Sequence, residues 1–263
     1  MENPSRIVCL TEESVETLYL LGEERRIVGV SAFVKRPEET KNLKKVSAFT
    51  SANIPKILEL GPDLVLGFSD IQKDIARDLI GAGVNVFIAN HRSLDEILNY
   101  ILLLGRMVDQ GEKAKALVDS FKEKLEASRQ WAQSLKIKPR IHLEEWDEPL
   151  ISGIQWFAEL VEACGGQLCF PEKAKASLAM DRTLSHDQVI AANPDIIFGC
   201  WCGKPVDISS IEKREGYAAL KAVKNQEIYE LEPEIFLQPG PAPFVDGLDI
   251  MRQHIENWVA KNS

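Results

Sequence analysis

Residues 109–135 constrain this chain more than any other stretch. Ala114, Leu117, Val118, Phe121, Leu125, Ala132 and Leu135 recur close to the 3.6-residue period that lays one apolar stripe along a helix. Glu112, Lys113, Lys115, Asp119, Lys122, Glu123, Lys124, Glu126 and Arg129 charge the opposite face. At 1.5 Å rise per residue the predicted helix is about 40 Å long, enough to cross one small domain and reach another. Pro139 stops it. Taken alone, the pattern also fits a surface helix inside a single domain.

The stretches on either side of this helix are similar. Gly61-Pro62-Asp63-Leu64-Val65-Leu66-Gly67 precedes it and Asn193-Pro194-Asp195-Ile196-Ile197-Phe198-Gly199 comes after it, each just after an apolar helical stretch. In both, a turn residue and a proline end a helix, the aspartate opens a strand, apolar residues fill it and glycine closes it. Two such matches flanking a long polar helix imply two similar lobes joined by a spine. The expected division is 1–108 for the N-terminal lobe, 109–138 for the bridging helix and 139–263 for the C-terminal lobe.

The other elements fit an α/β chain. Strands are predicted over 6–10, 26–30, 63–67 and 85–89, alternating with helices over 11–21, 54–60, 70–82 and 93–108, which implies parallel strands with helices on both faces. Thr11 is placed to cap the first helix, and 31–53 is irregular and too long for a simple connection. Beyond the spine, strands are predicted over 140–146, 195–199 and 227–231. Helices are predicted over 154–164 and 185–192, with helical residues over 211–220 and an amphipathic closing helix over 243–259.

Composition narrows the function classes. With 263 residues, 45% of them apolar, the chain can bury a sizeable core. A net charge of -9 with no run of Lys or Arg argues against nucleic acid. No apolar stretch is long enough to span a membrane. Met-Glu-Asn-Pro-Ser-Arg at the start has no signal-like core, so the sequence as written reads as cytoplasmic, or as periplasmic if a leader has been trimmed from it. Five cysteines, Cys9, Cys164, Cys169, Cys200 and Cys202, are expected as thiols without disulfides. A monomer is expected.

Open parallel sheets bind ligands beyond the carboxyl ends of their strands. The loops there carry Phe33, Phe68, His91, Trp146, Trp201 and Gln238. If the lobes face one another, both sets of loops turn toward one cleft, lined with aromatic rings and a few polar groups that suit a bulky, partly apolar ligand. Thr11-Glu12-Glu13 after the first strand is no phosphate fingerprint, which disfavours a nucleotide. Several of these residues have a second reading. Cys200, Cys202 and His91 are weak candidates for a metal, but one Cys-x-Cys pair and four scattered histidines make no convincing site, so no metal is assigned. Glu144, Glu145 and Asp147 could do acid–base work or orient a ligand, and Phe49 and Phe68 could be core rather than pocket.

Longer motifs carry a family resemblance. Arg6-Ile7-Val8-Cys9-Leu10-Thr11, Arg26-Ile27-Val28-Gly29-Val30, the segment from Val46 through Phe49 to Asn53, and Pro62-Asp63-Leu64-Val65-Leu66 resemble the N-lobe of class III, helical-backbone substrate-binding proteins of ABC importers, the cobalamin-binding and iron-siderophore-binding type. Pro149-Leu150-Ile151-Ser152-Gly153, Cys164-Gly165-Gly166 and the stretch from Leu184 to Asp195 resemble the C-lobe of the same family. The resemblance implies two Rossmann-like lobes with parallel sheets on a rigid helix, a ligand between them and little hinge motion. It places ligand-facing aromatics at Phe49 and Phe68, adds Ser152 and Gly153, and leaves Trp201 or Trp156 to replace an aromatic missing near Asp181. It also implies permease docking through Asp187 on the second lobe; at the first-lobe position stands Lys73, with Asp70 and Asp74 nearby. Cys164 matches a cysteine that is disulfide-bonded in some relatives, though the closing helix offers it no partner. The expected function is a binding protein, not an enzyme, for a bulky metal chelate, with a corrinoid such as cobalamin first and an iron-siderophore or haem next. It would serve an ABC permease or a cytoplasmic counterpart, with no catalytic cofactor. The alternative is a cytoplasmic enzyme or metal-cofactor assembly factor on the same scaffold.

Overall fold

The computed structural model describes residues 3–263; the start of the segment read for a leader, Met1 and Glu2, lies outside the described residues. The chain divides into two units. Unit 1 takes in residues up to His91, Asp95–Ser120 and Pro239–Ala242, and unit 2 takes in Arg92–Leu94, Phe121–Gln238 and Pro243–Ser263.

Unit 1 is built on β1 (Ile7–Cys9), β2 (Ile27–Ser31), β3 (Lys45–Ser47), β4 (Leu64–Phe68) and β5 (Val86–Ala89). All pair in parallel, in the order β3-β2-β1-β4-β5. Its helices are α1 (Glu12–Leu20), α2 (Ile54–Leu58), α3 (Lys73–Gly81), most of α4 (Leu94–Met107) and the first part of α5 (Gly111–Ser134). The two central strands, β1 and β4, are apolar and buried along their whole length. Val8, Leu10, Val46, Ile57, Val65, Ile75 and Leu79 form one buried cluster, each worth roughly 1.5–3 kcal/mol in transfer terms for the larger side chains. The strand order reverses between β1 and β4, which makes their carboxyl ends the place where an open sheet of this kind offers a crevice.

Unit 2 is built on β6 (Arg140–Asp147), β7 (Leu150–Ser152), β8 (Gln167–Leu168), β9 (Ile196–Gly199) and β10 (Ile228–Glu230). The order is β10-β9-β6-β7, with β8 also on β6; β7 runs antiparallel and the other pairs are parallel. Around it lie the second part of α5, α6 (Gln155–Ala163), α7 (Pro171–Ala174), α8 (His186–Ala192), α9 (Ile208–Glu212), α10 (Lys221–Lys224), α11 (Pro233–Phe236) and α12 (Leu248–Asn262). α8 starts with a full capping box, Ser185 and Gln188 each satisfying the other's backbone N–H.

α5 is one uninterrupted helix, and its buried stripe is Ala114, Val118, Phe121, Leu125, Ser128 and Ala132. It begins at Gly111 rather than at Asp109, whose positive φ of 61° belongs to the turn after α4. The division into units falls inside α5, after Ser120, and Pro239–Ala242 returns to unit 1; both differ from the boundaries expected at 108, 138 and 139. Three short strands escaped the sequence pattern: β3, inside the stretch read as irregular, and β7 and β8. The helix expected over 211–220 is split into α9 and a 3-10 turn at Tyr217–Ala219.

The repeated Pro-Asp motif has one structural job in both units. Asp63 donates its N–H to the Arg6 carbonyl at 3.0 Å, and its carboxylate accepts the N–H groups of Ser5 (2.7 Å) and Arg6 (3.0 Å). Asp195 donates to the Arg140 carbonyl at 2.8 Å and accepts the Arg140 N–H at 2.9 Å. Each aspartate thus clamps the start of its strand to the start of the strand beside it. The preceding turn needs a left-handed residue, supplied by Gly61 (φ 55°) and Asn193 (φ 45°), the two residue types that tolerate it best. Partial burial would raise the Asp63 pKa, but the Ser5 and Arg6 donors together outweigh it and hold the carboxyl below the usual range.

Candidate ligand-binding site

In unit 1 the carboxyl ends of β2 and β3 present Phe33 and Phe49, 53% and 40% exposed, and the two ends are tied by the Ala32 N–H donating to the Ser47 carbonyl at 2.7 Å. The loop that carries Phe33 is fixed from α1. Glu12 accepts the backbone N–H groups of Lys35 (2.7 Å) and Arg36 (2.9 Å), and Glu16 pairs with the Arg36 guanidinium at 3.0 Å. The loop that carries Phe49 is fixed from the other side by Gln72, whose amide nitrogen donates to the Phe49 carbonyl at 3.0 Å. Two apolar rings are therefore held at the ends of neighbouring strands by polar contacts behind them.

Phe68 and His91 do not share that face. Phe68 is buried and meets the His91 ring edge-on at 5.2 Å, and His91 stacks on Tyr100 at 4.8 Å while its Nε2 lies 2.6 Å from the Pro239 carbonyl. For Phe68 the core alternative prevails. His91, expected as a ligand contact or weak metal candidate, is packed inside unit 1. Below them Glu13 is 1% exposed; burial raises its carboxyl to about 7, with the Thr11 hydroxyl, which donates to it at 2.5 Å, pulling the other way. Thr11 holds the N-cap position of α1 but makes no side-chain cap bond, because its hydroxyl goes to Glu13.

In unit 2 the acidic run at the end of β6 is an ion-pair network. Arg214 grips Glu144 with two nitrogens at 2.6 and 2.8 Å, Arg182 pairs with Glu145, and Lys204 bonds both oxygens of Asp147 at 2.7 Å. Burial would raise the Glu144 carboxyl, but Arg214 and His142 together hold it low. Each carboxylate is matched to a cation, so the cluster is not arranged as an acid–base pair.

Trp201 and Trp146 touch this network, and Trp156 is bonded elsewhere in unit 2. Trp201 is 2% exposed, packs in the cluster with Leu150, Val189 and Tyr217, and donates its Nε1 to Glu144 at 3.1 Å. Trp156 is also 2% exposed, with its Nε1 on the Phe236 carbonyl at 2.9 Å. The expectation that either one supplies a clamp from this lobe is corrected: apolar burial plus a fixed indole N–H makes each a core residue. Trp146 is half-buried, and the Lys204 ammonium sits over its ring at 4.4 Å and over that of Trp201 at 4.8 Å. Ser152 is buried and its carbonyl accepts from Arg182 at 2.6 Å. A Cβ on Gly153 would come within 2.7 Å of Leu143, so that glycine answers to strand packing. Gln238 is buried.

Among the cysteines there is no disulfide. Cys164 instead meets Ser128 at 3.3 Å and the carbonyl of Leu248, the first residue of the closing helix, at 3.5 Å. Burial raises the Cys9 thiol to about 12 and the Cys164 and Cys169 thiols to about 11, and pushes Cys200 well up. Cys200 is buried and Cys202 exposed, and no group of three His, Cys, Asp or Glu side chains among the described residues is placed to hold a metal ion. The expected docking residues are both exposed, Asp187 in the first turn of α8 and Asp74 on α3, where it pairs with Arg77 at 2.9 Å. Beside α3 lies an open groove of about 600 Å³ lined in part by Asp70, Lys73, Arg77 and Ile80.

Two α/β units of this topology, with an uninterrupted helix shared by both and side chains fixed at the strand ends, define a two-lobe ligand-binding protein. The chain belongs to the periplasmic binding protein family, whose sequence profile matches residues 7–235. It is 26% identical over 264 residues to an uncharacterized ABC transporter substrate-binding lipoprotein of Bacillus subtilis, covering 97% of this chain and 81% of that one. It is 27% identical over 241 residues to a vitamin B12-binding protein of Vibrio cholerae, covering 90% and 84%. Among solved structures it is similar to a possible iron-binding, periplasmic solute-binding protein of Staphylococcus epidermidis, with a TM-score of 0.81, 26% identity and coverage of 97% and 99%. The family is one of substrate-binding transport proteins. Among the described residues no helix is long and apolar enough to cross a membrane.

Proposed function

We propose that this chain binds a bulky metal chelate, a corrinoid such as cobalamin first and an iron-siderophore or haem next, and hands it to an ABC permease. The observation that carries the reading is the pair Phe33 and Phe49, exposed at the ends of adjacent strands and pinned from behind by Glu12 and Gln72. Exposed phenylalanines on a fixed backbone are expensive to leave in water and suited to the flat apolar face of a macrocycle. The vitamin B12-binding relatives support the corrinoid, and the structural neighbour described as a possible iron-binding protein supports the wider class of metal chelates. Asp187 and Asp74 are the residues offered to the permease. Of the two compartments the sequence leaves open, importer duty goes with the periplasmic one. The chelate is cargo; no cofactor takes part in a reaction.

The test is to mix the purified chain separately with cyanocobalamin, haem and a ferric siderophore, pass each through gel filtration and record the visible spectrum of the protein peak. Cyanocobalamin absorbance co-eluting with the protein is the expected result. Retention of only haem or only the ferric siderophore would move the assignment within the class, and retention of none would refute it.

A further inference from the structure

Gln72 is polar, wholly buried and sits where the sheet order reverses. Its amide nitrogen donates to the Phe49 carbonyl at 3.0 Å and reaches the Leu10 carbonyl at 3.5 Å, while its amide oxygen accepts the Phe68 N–H at 3.0 Å. One side chain thus joins the carboxyl ends of β1 and β4 and the loop after β3. Burying a carboxamide is unfavourable unless its polar atoms are bonded, and here both ends of the amide are.

The local chain is shaped to admit it. A Cβ on Gly67 would lie 2.6 Å from the Gln72 amide oxygen, so this glycine near the end of β4 leaves the space the amide fills. Ser69 then takes φ 62° and ψ 174°, a region otherwise left almost to glycine, and is held there by its N–H on the Ala89 carbonyl at 2.6 Å and by the Ile71 N–H on its own hydroxyl oxygen at 3.3 Å. That sharp exit from β4 turns the chain so that Gln72 folds back over Gly67 toward the Phe49 loop. Backbone strain held at Ser69 commits the next turn of chain, Gln72 included, to a single placement.

We infer that Gln72 is the positioning residue for the ligand-facing aromatic of this unit, fixing the Phe49 loop against the strand ends; the inference rests on the reading of Phe49 as a ligand contact. Gln72 is sealed from solvent and acts through the Phe49 carbonyl rather than by touching ligand. Two variants of the full chain separate its bonds: Gln72→Met removes all three, and Gln72→Glu keeps an acceptor for the Phe68 N–H while removing the donor to the Phe49 and Leu10 carbonyls.

The first readout needs no ligand. Amide hydrogen exchange should quicken at least ten-fold in the loop 48–52 of Gln72→Glu, with the amides of β1 and β4 unchanged; unchanged exchange in that loop would overturn the inference. The second is a double-mutant cycle on cyanocobalamin affinity. Gln72→Glu should weaken binding about ten-fold, and adding it to Phe49→Ala should weaken binding no further than Phe49→Ala alone. Losses that multiply would show that Gln72 does not act through Phe49. A loop that loosens as expected in a chain whose parent takes up no cyanocobalamin would sink the corrinoid reading and leave the positioning role supported.

Discussion

Phe33 and Phe49 stand in solvent while Trp156 and Trp201 are sealed in the core of unit 2, and the two pairs should respond oppositely to truncation. Trp156→Ala and Trp201→Ala each remove a packed ring, and Trp156→Ala also takes the indole donor from the Phe236 carbonyl, at about 3–5 kcal/mol of stability. Phe33→Ala and Phe49→Ala leave no sealed cavity and should shift stability by less than about 1 kcal/mol, while lowering chelate affinity by on the order of 1–3 kcal/mol. Denaturant unfolding and affinity measured on all four decide it; a stable, tight-binding Trp201→Ala chain would contradict the core assignment. Glu13 makes a pH prediction. Its folded-state pKa, raised by burial to about 7, lies above the unfolded carboxyl value near 4.3. Its contribution is therefore full below about pH 4.3 and is lost as pH rises through 7. Glu13→Gln should match the parent chain near pH 4 and exceed its stability at pH 8 by up to roughly 3 kcal/mol. Equal unfolding midpoints at both pH values would refute the burial argument.

The Pro-Asp motif was legible at the scale of the element because it combines strong local signals: a left-handed turn residue, a proline and an apolar strand. Its clamping of the neighbouring strand through the aspartate carboxylate depends on Arg6 and Arg140, which lie more than fifty residues away in sequence. Asp63→Ala should cost about 1–2 kcal/mol, and Asp195→Ala about 1 kcal/mol because it loses a single backbone donor and one exposed lysine. Asp63 also has a sign: with its pKa held low in the fold, its contribution is present above the unfolded value near 3.9 and lost as pH falls through the folded one. The gap between Asp63→Asn and the parent should therefore close in acid, as thermal unfolding across pH 2–6 would show. The strands that stayed hidden, Lys45–Ser47, Leu150–Ser152 and Gln167–Leu168, are two or three residues long, too short for a period-two pattern to rise above background. The long helix was read correctly because its stripe repeats over many turns; its start was misplaced because the left-handed Asp109 leaves no mark on the apolar pattern.

For the whole molecule, the repeat, the shared helix and the parallel sheets could be read from sequence, and the family assignment agrees with them. The proposed binding face was half legible. Aromatic residues at strand ends could be found, but which of them are buried depends on partners remote in sequence. Arg182 is 37 residues from Glu145, Lys204 is 57 from Asp147 and Arg214 is 70 from Glu144; together they turn the expected acidic cluster into a charge-matched network that holds Trp201. Gln72 gave no signal either, since a lone glutamine after a strand reads as solvated. The proposed cargo contact of unit 1 therefore rests on Phe33 and Phe49. The most direct test is calorimetric titration of cyanocobalamin into the parent chain and into the Phe33→Ala/Phe49→Ala double variant. We predict one corrinoid bound per parent chain and an affinity at least ten-fold weaker in the variant. Equal affinity in the two, or no heat of binding in the parent, would contradict the assignment.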